Sequence, residues 1–136
     1  MSIEFTDEAE PAPQAECFSF SVPTDANTVD AIFNAYGIGL AAPNGYFGTN
    51  WDAFYDCLMD LQWIEAERVE IVHQKLPDLP KSDLLTYVQI LRDADSAWAD
   101  EKTSQLANQF EHFVPHALTV RFPIDCESQI NALLAA

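Results

Sequence analysis

The sequence contains little positive charge. Its 136 residues include 6 Lys and Arg but 22 Asp and Glu, which gives a formal net charge of −16. Proteins bind the phosphates of nucleic acids and anionic lipids mainly through Lys and Arg, so this composition argues against direct binding to either. An acidic excess favours a basic partner or serves solubility alone. Composition leaves both interpretations open.

Cysteines and long apolar runs are scarce as well. Three cysteines, Cys17, Cys57 and Cys126, lie far apart and form no CxxC motif. An odd, scattered number is typical of reduced thiols in a cytoplasmic protein. No apolar run reaches the roughly 18 residues of a membrane-spanning helix, and the acidic N-terminal stretch lacks the apolar centre of a signal peptide. We therefore expect a cytoplasmic protein that does not bind membranes.

Motifs of common enzymes are also missing, including G-x-S-x-G, the P-loop, the dinucleotide-binding turn and H-E-x-x-H. His112 and His116 are four residues apart, but Pro115 between them breaks helical geometry and argues against a shared metal ion. Cys57 lies among acidic residues, which disfavour a reactive thiolate. We expect no catalytic residue, no metal and no cofactor.

The chain does contain enough apolar residues, 49%, for one domain with a hydrophobic core. Residues 1–15 are rich in acids and predict a flexible tail before a domain at 16–136. Alternating apolar residues predict strands at 16–22, 68–74 and 116–122. Helical spacing and capping residues predict helices at 29–37, 50–63, 82–100, 102–113 and 126–136. Strand–helix–strand order favours parallel pairing. The predicted fold class is therefore α/β, a small three-stranded parallel sheet packed with helices, with 123–136 as a C-terminal helical extension.

The second predicted helix carries Asp52, Asp56 and Asp60 four residues apart, so these acids share one face. Its apolar residues lie on the opposite face. Thr49 and Asp52 fit the Thr-x-x-acid pattern of a helix start, which gives Asp52 a structural role. The other two acids have no such role, and residues 40–67 contain no Lys or Arg to neutralise them. This face is either simply solvated or a docking surface for a basic partner, with aromatic residues at its entrance.

The segment YFGTNWDAFYDCL at residues 46–58 resembles the signature of the barstar family, whose members are intracellular inhibitors of secreted bacterial ribonucleases of the barnase type. The family pattern runs aromatic-aromatic-Gly-Glu-Asn-Leu-Asp-Ala-Leu-Trp-Asp-Cys-Leu, and this segment follows it in order and spacing without a gap. It departs at Thr49, where the family commonly has Glu, and at Tyr55, where Trp is frequent. The resemblance covers roughly residues 16–122 and implies the family's barstar-like parallel sheet with helices.

In that family the loop and the second helix block the active site of the ribonuclease, and the resemblance implies the same role here. Asp56 matches the acid that enters the pocket for the substrate phosphate. Asp52 matches an acid that pairs with a basic residue at the rim, and Tyr46 matches an aromatic residue that packs on a catalytic histidine. The other partner contacts implied by the resemblance are Phe47, Gly48, Asn50, Tyr55, Asp60 and Glu111, the last as a match to an acid on the family's last helix.

The resemblance implies a basic bacterial ribonuclease as the partner, or a ribonuclease toxin to which this chain confers immunity. Two other interpretations stay open. One is a barstar-scaffold interaction module that binds a basic partner without inhibiting a nuclease, and the other is an acidic mimic of nucleic acid. Active-site inhibition depends on Asp56 and Tyr46, whereas a mimic depends on total charge and tolerates either single change.

Overall fold

One sheet of four parallel strands is packed with helices in the computed structural model, which describes residues 3–6, 17–100 and 113–135. The strands are β1 (Ile3–Thr6), β2 (Cys17–Val22), β3 (Arg68–His73) and β4 (Ala117–Pro123). The α-helices within these ranges are α1 (Val29–Gly39), α2 (Trp51–Asp60), α3 (Lys81–Ala99) and α4 (Glu127–Ala135). The α/β class with a parallel sheet, predicted from the sequence, is confirmed.

The sheet has four strands, whereas the sequence predicted three. The strand order is β1-β4-β3-β2, and every neighbouring pair is parallel. The additional strand, β1, comes from the stretch that the sequence assigned to the acidic tail. Ile3 pairs with Val120 and Phe5 with Phe122, whose ring centroid lies 6.3 Å from that of Phe5. A strand of four residues offers too few alternations for periodicity to separate it from a tail.

Two helix ends also differ from the predicted ones. Gly37 and Gly39, predicted to stop the first helix, are part of α1. Gly37 permits close packing there, because a Cβ at this residue would lie 2.0 Å from the carbonyl oxygen of Gly45. Helix α2 ends three residues earlier than predicted because Leu61 adopts a left-handed conformation with φ of 49°. The helix predicted at 102–113 falls, apart from its last residue, outside the described residues.

Buried aromatic rings join α1, α2, α3 and the sheet. The Tyr36 ring of α1 lies edge-on to Phe20 of β2, with ring centroids 5.0 Å apart, and edge-on to Phe54 of α2 at 4.8 Å. Tyr87 of α3 is 6.2 Å from Phe54. Such edge-to-face pairs add stabilisation beyond the burial of their area, and they fix α2 against the two helices beneath it.

A chain of buried hydrogen bonds runs through this aromatic cluster. The Tyr36 and Tyr87 hydroxyl oxygens are 2.6 Å apart, and the Tyr87 oxygen is 2.6 Å from Nε2 of His73. Nδ1 of His73 donates to the carbonyl oxygen of Arg121 at 3.0 Å. Nε2 of the neutral ring therefore accepts from Tyr87, and the Tyr87 oxygen accepts from Tyr36. Burial lowers the pKa of His73 to about 4, which keeps the ring neutral.

Candidate partner-binding surface

The acidic face of α2, formed by the carboxylates of Asp52, Asp56 and Asp60, is exposed to solvent. Phe54 and Leu58 are fully buried on the other side of the helix. None of the three acids forms an ion pair with a described residue, and residues 1–67 contain no Lys or Arg. The predicted amphipathic helix is confirmed, and its outer face carries charge that nothing in this part of the fold neutralises.

Asn50, rather than Thr49, caps the N-terminus of α2. The Asn50 side-chain oxygen accepts a hydrogen bond from the backbone N–H of Ala53 at 2.8 Å. The Thr-x-x-acid pattern in the sequence is thus offset by one residue from the cap that forms, because Asn is at least as good a cap as Thr. Asp52 lies in the first turn, where the helix dipole favours a negative charge.

The two neighbouring aromatic residues of the loop before α2 point in different directions. Tyr46 is 52% exposed, whereas Phe47 is 1% exposed. The Phe47 ring lies 5.5 Å from Tyr36 and 5.4 Å from Phe54, so it belongs to the aromatic core. Phe47 was predicted to contact the partner, but its side chain is not accessible in this conformation. It anchors the loop, while the Tyr46 ring of the same loop is exposed to solvent.

Gly48 is required by the geometry of the same loop. Its φ of +98° belongs to a region that residues with a Cβ rarely adopt. A Cβ at this residue would also lie 2.7 Å from the backbone nitrogen of Phe54. The missing side chain lets the loop lie directly on the first turn of α2.

A fourth acid joins this surface from α3. Tyr55 is half-buried on α2, and its pKa is raised by burial, then by the charge of Asp93, then by that of Asp56. Asp93 therefore lies near Tyr55 and Asp56; its side chain is 58% exposed, and its carboxylate is 3.5 Å from Nε of Arg92. The sequence prediction missed Asp93, because only the packing of α2 on α3 brings it here. Glu111, which was predicted for this role, lies outside the described residues.

Hydrogen bonds with neighbouring segments hold both ends of α2. Near its N-terminus, the Trp51 indole N–H is directed at the Asp83 carboxylate of α3 at 3.4 Å. Near its C-terminus, the Trp98 indole N–H donates to the carbonyl oxygen of Leu58 at 2.9 Å. The Gln62 side-chain amide donates to the carbonyl oxygen of Asp60 at 3.0 Å. The direction of the acidic face is thus set by tertiary contacts.

Gln62 also connects this helix end to the segment before β4. Its amide nitrogen donates to the carbonyl oxygen of Val114 at 2.9 Å, and its amide oxygen accepts from the Val114 N–H at 2.8 Å. A side-chain amide that pairs both of its groups with one backbone residue has little freedom to move. The end of α2 is therefore coupled to the start of β4.

The described residues near the acidic face provide neither a metal site nor a reactive thiol. Among them, no group of three or more His, Cys, Asp or Glu side chains is arranged to hold a metal ion. Cys57, on α2, has its thiol pKa raised by burial and then by the charges of Asp60 and Asp56, which disfavours the reactive thiolate.

No helix within the described ranges is long and apolar enough to cross a membrane.

The chain was compared with models of known protein families. The model of the family described as Barstar (barnase inhibitor) matches residues 22–109, more than half of the chain. The matched range begins at Val22, the last residue of β2, and includes α1, the loop before α2, α2, β3 and α3. No curated protein and no solved structure matched the chain significantly.

Proposed function

The chain belongs to the barstar family, and on that premise we propose that it inhibits a barnase-like or toxin ribonuclease by covering the enzyme's basic active site. In this proposal the chain performs no chemistry of its own. The observation that carries the proposal is the acidic face of α2, three exposed and unpaired carboxylates on the helix that follows the loop with the exposed Tyr46 ring. Members of the family are inhibitors rather than enzymes.

An enzyme that cleaves RNA must offer positive charge to the phosphate, and a carboxylate can occupy the same place. Asp56 lies in the middle of the acidic face, so it is the acid that we assign to the phosphate pocket. Asp52 and Asp60, one turn to either side, meet the rim, and Asp93 extends the negative surface onto α3. Burial of these carboxylates stabilises a complex only when basic groups of the partner pair with them.

Aromatic and structural residues complete the contact. Tyr46 supplies an exposed ring of the kind that contributes strongly to binding at interfaces, and Tyr55 lines the surface between Asp56 and Asp93. Gly48 and Asn50 contribute through the backbone of the loop and the start of the helix. Since hydrogen bonds hold both ends of α2, little ordering is needed when the complex forms.

The charge of the whole chain supports the same partner. A net charge of −16 attracts a basic protein over distance and accelerates association, an effect that salt weakens. We further propose that the chain acts in the cytoplasm, where its three unpaired cysteines stay reduced. There it would protect the producing cell from its own ribonuclease or from a toxin delivered by a neighbour.

The test is RNA cleavage by a panel of barnase-type ribonucleases and ribonuclease toxins, with the natural sequence, with Asp56→Ala and with Asp125→Ala. Asp125 is an exposed acid in the turn beside β1, outside the acidic face. We expect stoichiometric inhibition by the natural chain. Breaking a buried charge pair costs about 3 kcal/mol, so Asp56→Ala should weaken inhibition at least about 100-fold. Asp125→Ala should change it by less than about threefold.

Equal weakening by the two variants would contradict the assignment of Asp56 and point to total charge, as expected of a nucleic-acid mimic. Absence of inhibition across the panel would contradict ribonuclease inhibition. It would favour a barstar-scaffold module for another basic partner, to be captured by crosslinking from the producing cell. Measurements at about 0.05 M and 0.5 M salt separate steering, which salt screens, from buried pairing, which salt affects less.

A further inference from the structure

His116, the residue before β4, connects the end of α2 to the start of β3. It is 3% exposed, and both of its ring nitrogens lie close to backbone carbonyl oxygens. Nε2 is 2.8 Å from the carbonyl oxygen of Leu61, and Nδ1 is 2.8 Å from that of Ala66. Leu61 is the left-handed residue that ends α2, and Ala66 lies two residues before β3.

Two carbonyl acceptors define the protonation state of this ring. A carbonyl oxygen only accepts, and a neutral imidazole has a single N–H to donate. Both bonds form together only if both nitrogens carry protons, that is, if His116 is an imidazolium cation. The two distances of 2.8 Å also fit charge-assisted N–H···O bonds. His73 differs in this respect, because its second partner, the Tyr87 hydroxyl, can donate to a neutral ring.

Charged groups of both signs surround the ring. The ring faces the carbonyl end of α2, which is the negative end of a helix. The cavity that His116 lines is also lined by two acids, Asp95 of α3, which is 2% exposed, and Glu67 before β3. Arg68 contributes a positive charge to the same lining. Asp60 adds negative charge from the last turn of α2, and the Trp98 ring of α3 lies edge-on to the imidazole at 5.2 Å.

We propose that His116 is a positioning residue for the acidic face, holding the last turn of α2 as a doubly protonated ring and releasing it when the ring loses a proton. A neutral ring keeps only one of its two bonds, so α2 and β3 are no longer joined through it. The last turn of α2 carries Asp60 and directly follows Asp56. Loss of the His116 contact on deprotonation therefore changes the geometry of the acidic face, which makes that geometry depend on pH. The consequence for inhibition rests on the proposed function, whereas the proton-dependent contact itself does not.

The first test uses the full chain without any partner. Nitrogen-15 NMR of the His116 ring reports how many of its nitrogens carry a proton. Hydrogen exchange reports the protection of the last turn of α2, after correction for the intrinsic effect of pH. We expect two protonated ring nitrogens at about pH 6, and protection of the Asp60 and Leu61 amides that falls about tenfold as the ring deprotonates. A ring with one proton at about pH 6 and a fully protected helix end would overturn the proposal.

Two variants separate a proton-dependent contact from ordinary packing. His116→Gln places an amide that does not titrate and cannot reach both carbonyl oxygens, so the helix end should be weakly protected at every pH. Gln62→Ala removes a neutral contact to the same end, and it should lower protection by the same factor at every pH. If the natural chain and His116→Gln show parallel pH profiles, His116 is not the titrating contact and the proposal is wrong.

The second test measures inhibition of a ribonuclease against pH. The ratio of affinities of the natural chain and of His116→Gln is the quantity to follow, since titration of the enzyme's own groups cancels in it. We expect a ratio of about ten near pH 6 that falls to about one near pH 9. A ratio that does not change with pH would overturn the effect on binding. If no ribonuclease is inhibited while the NMR results are as expected, the proposed function fails and the His116 contact stands.

Discussion

Lowering the pH from about 6.5 to about 4 should destabilise this protein through His73. The unfolded side chain titrates near its ordinary pKa of 6.5, whereas burial lowers the pKa of the folded one to about 4. Between these values the unfolded state binds more protons than the folded state, so stability rises with pH across this window and is lost as the pH falls through it. At about 1.36 kcal/mol per pH unit, the window is worth about 3 kcal/mol.

The structure explains why the ring resists protonation. His73 is fully buried, stacks on Phe122 with ring centroids 4.0 Å apart, and donates from Nδ1 to a carbonyl oxygen. A second proton, on Nε2, would face the Tyr87 hydroxyl and force it to stop donating. That change would propagate to Tyr36, which packs beneath Phe47 and the aromatic loop. Acid should therefore loosen the binding surface together with the core.

Urea unfolding between about pH 4 and 7 measures this effect, with the double variant His73→Phe/Tyr87→Phe as the control. The control keeps two rings of similar shape and removes the titrating group. The free energy of unfolding of the natural chain should fall by about 3 kcal/mol more than that of the control over this range. Taking the difference removes the contribution of the many carboxylates. Parallel pH profiles for the two proteins would refute the assignment of a neutral, buried His73.

Three further predictions concern the binding surface. Tyr46→Ala should change the free energy of unfolding by no more than about 0.5 kcal/mol but should weaken inhibition at least about 30-fold. Phe47→Ala should instead lower the free energy of unfolding by about 3 kcal/mol or more, because it removes a buried ring. Urea unfolding measures the first quantity and an inhibition assay the second. Gly48→Ala should lower the free energy of unfolding by about 2 kcal/mol, because the residue has a positive φ and the added Cβ would contact the backbone of α2. An unchanged free energy of unfolding would contradict the described loop conformation. Asp93→Ala should lower the pKa of Tyr55, which carbon-13 NMR of the phenol ring measures, and it should weaken inhibition about tenfold. An unchanged Tyr55 pKa would show that Asp93 does not lie near Tyr55.

The sequence predicted the elements that have a clear period. Strands β2, β3 and β4 alternate apolar residues over six or seven positions, and each lies within one or two residues of its predicted place. The amphipathic pattern of α2 likewise identified which of its faces is buried. β1 was missed because four residues give too little pattern, and the end of α2 was misplaced because Leu61 adopts a left-handed conformation that favours glycine. Local pattern carries no information on such a terminus.

Within the site, sequence identified the residues of one helix and could not assign the contacts between elements. The sequence assigned both Tyr46 and Phe47 to the partner contact, because a loop has no period that shows which of two adjacent aromatic residues points inward. It could not find Asp93, which is far along the chain from α2 and meets it only through the packing of α3. The paired carbonyl contacts of His116 are hidden for the same reason, since both of its partners are backbone atoms.

The acidic face explains why these long-range contacts matter. Acids four residues apart repel one another by about 0.2–0.5 kcal/mol per pair, and Asp60 lies at the end of α2, where the helix dipole disfavours a negative charge. No Lys or Arg on α2 compensates, and a helix of 10 residues is marginal by itself. The charge pattern that suits a basic partner therefore weakens the helix that bears it. The Asn50 cap, the buried Phe54 ring and the bonds from Trp98, Gln62 and His116 offset that weakness. A basic partner would remove the repulsion on binding, so the cost borne by the free protein becomes a gain in the complex.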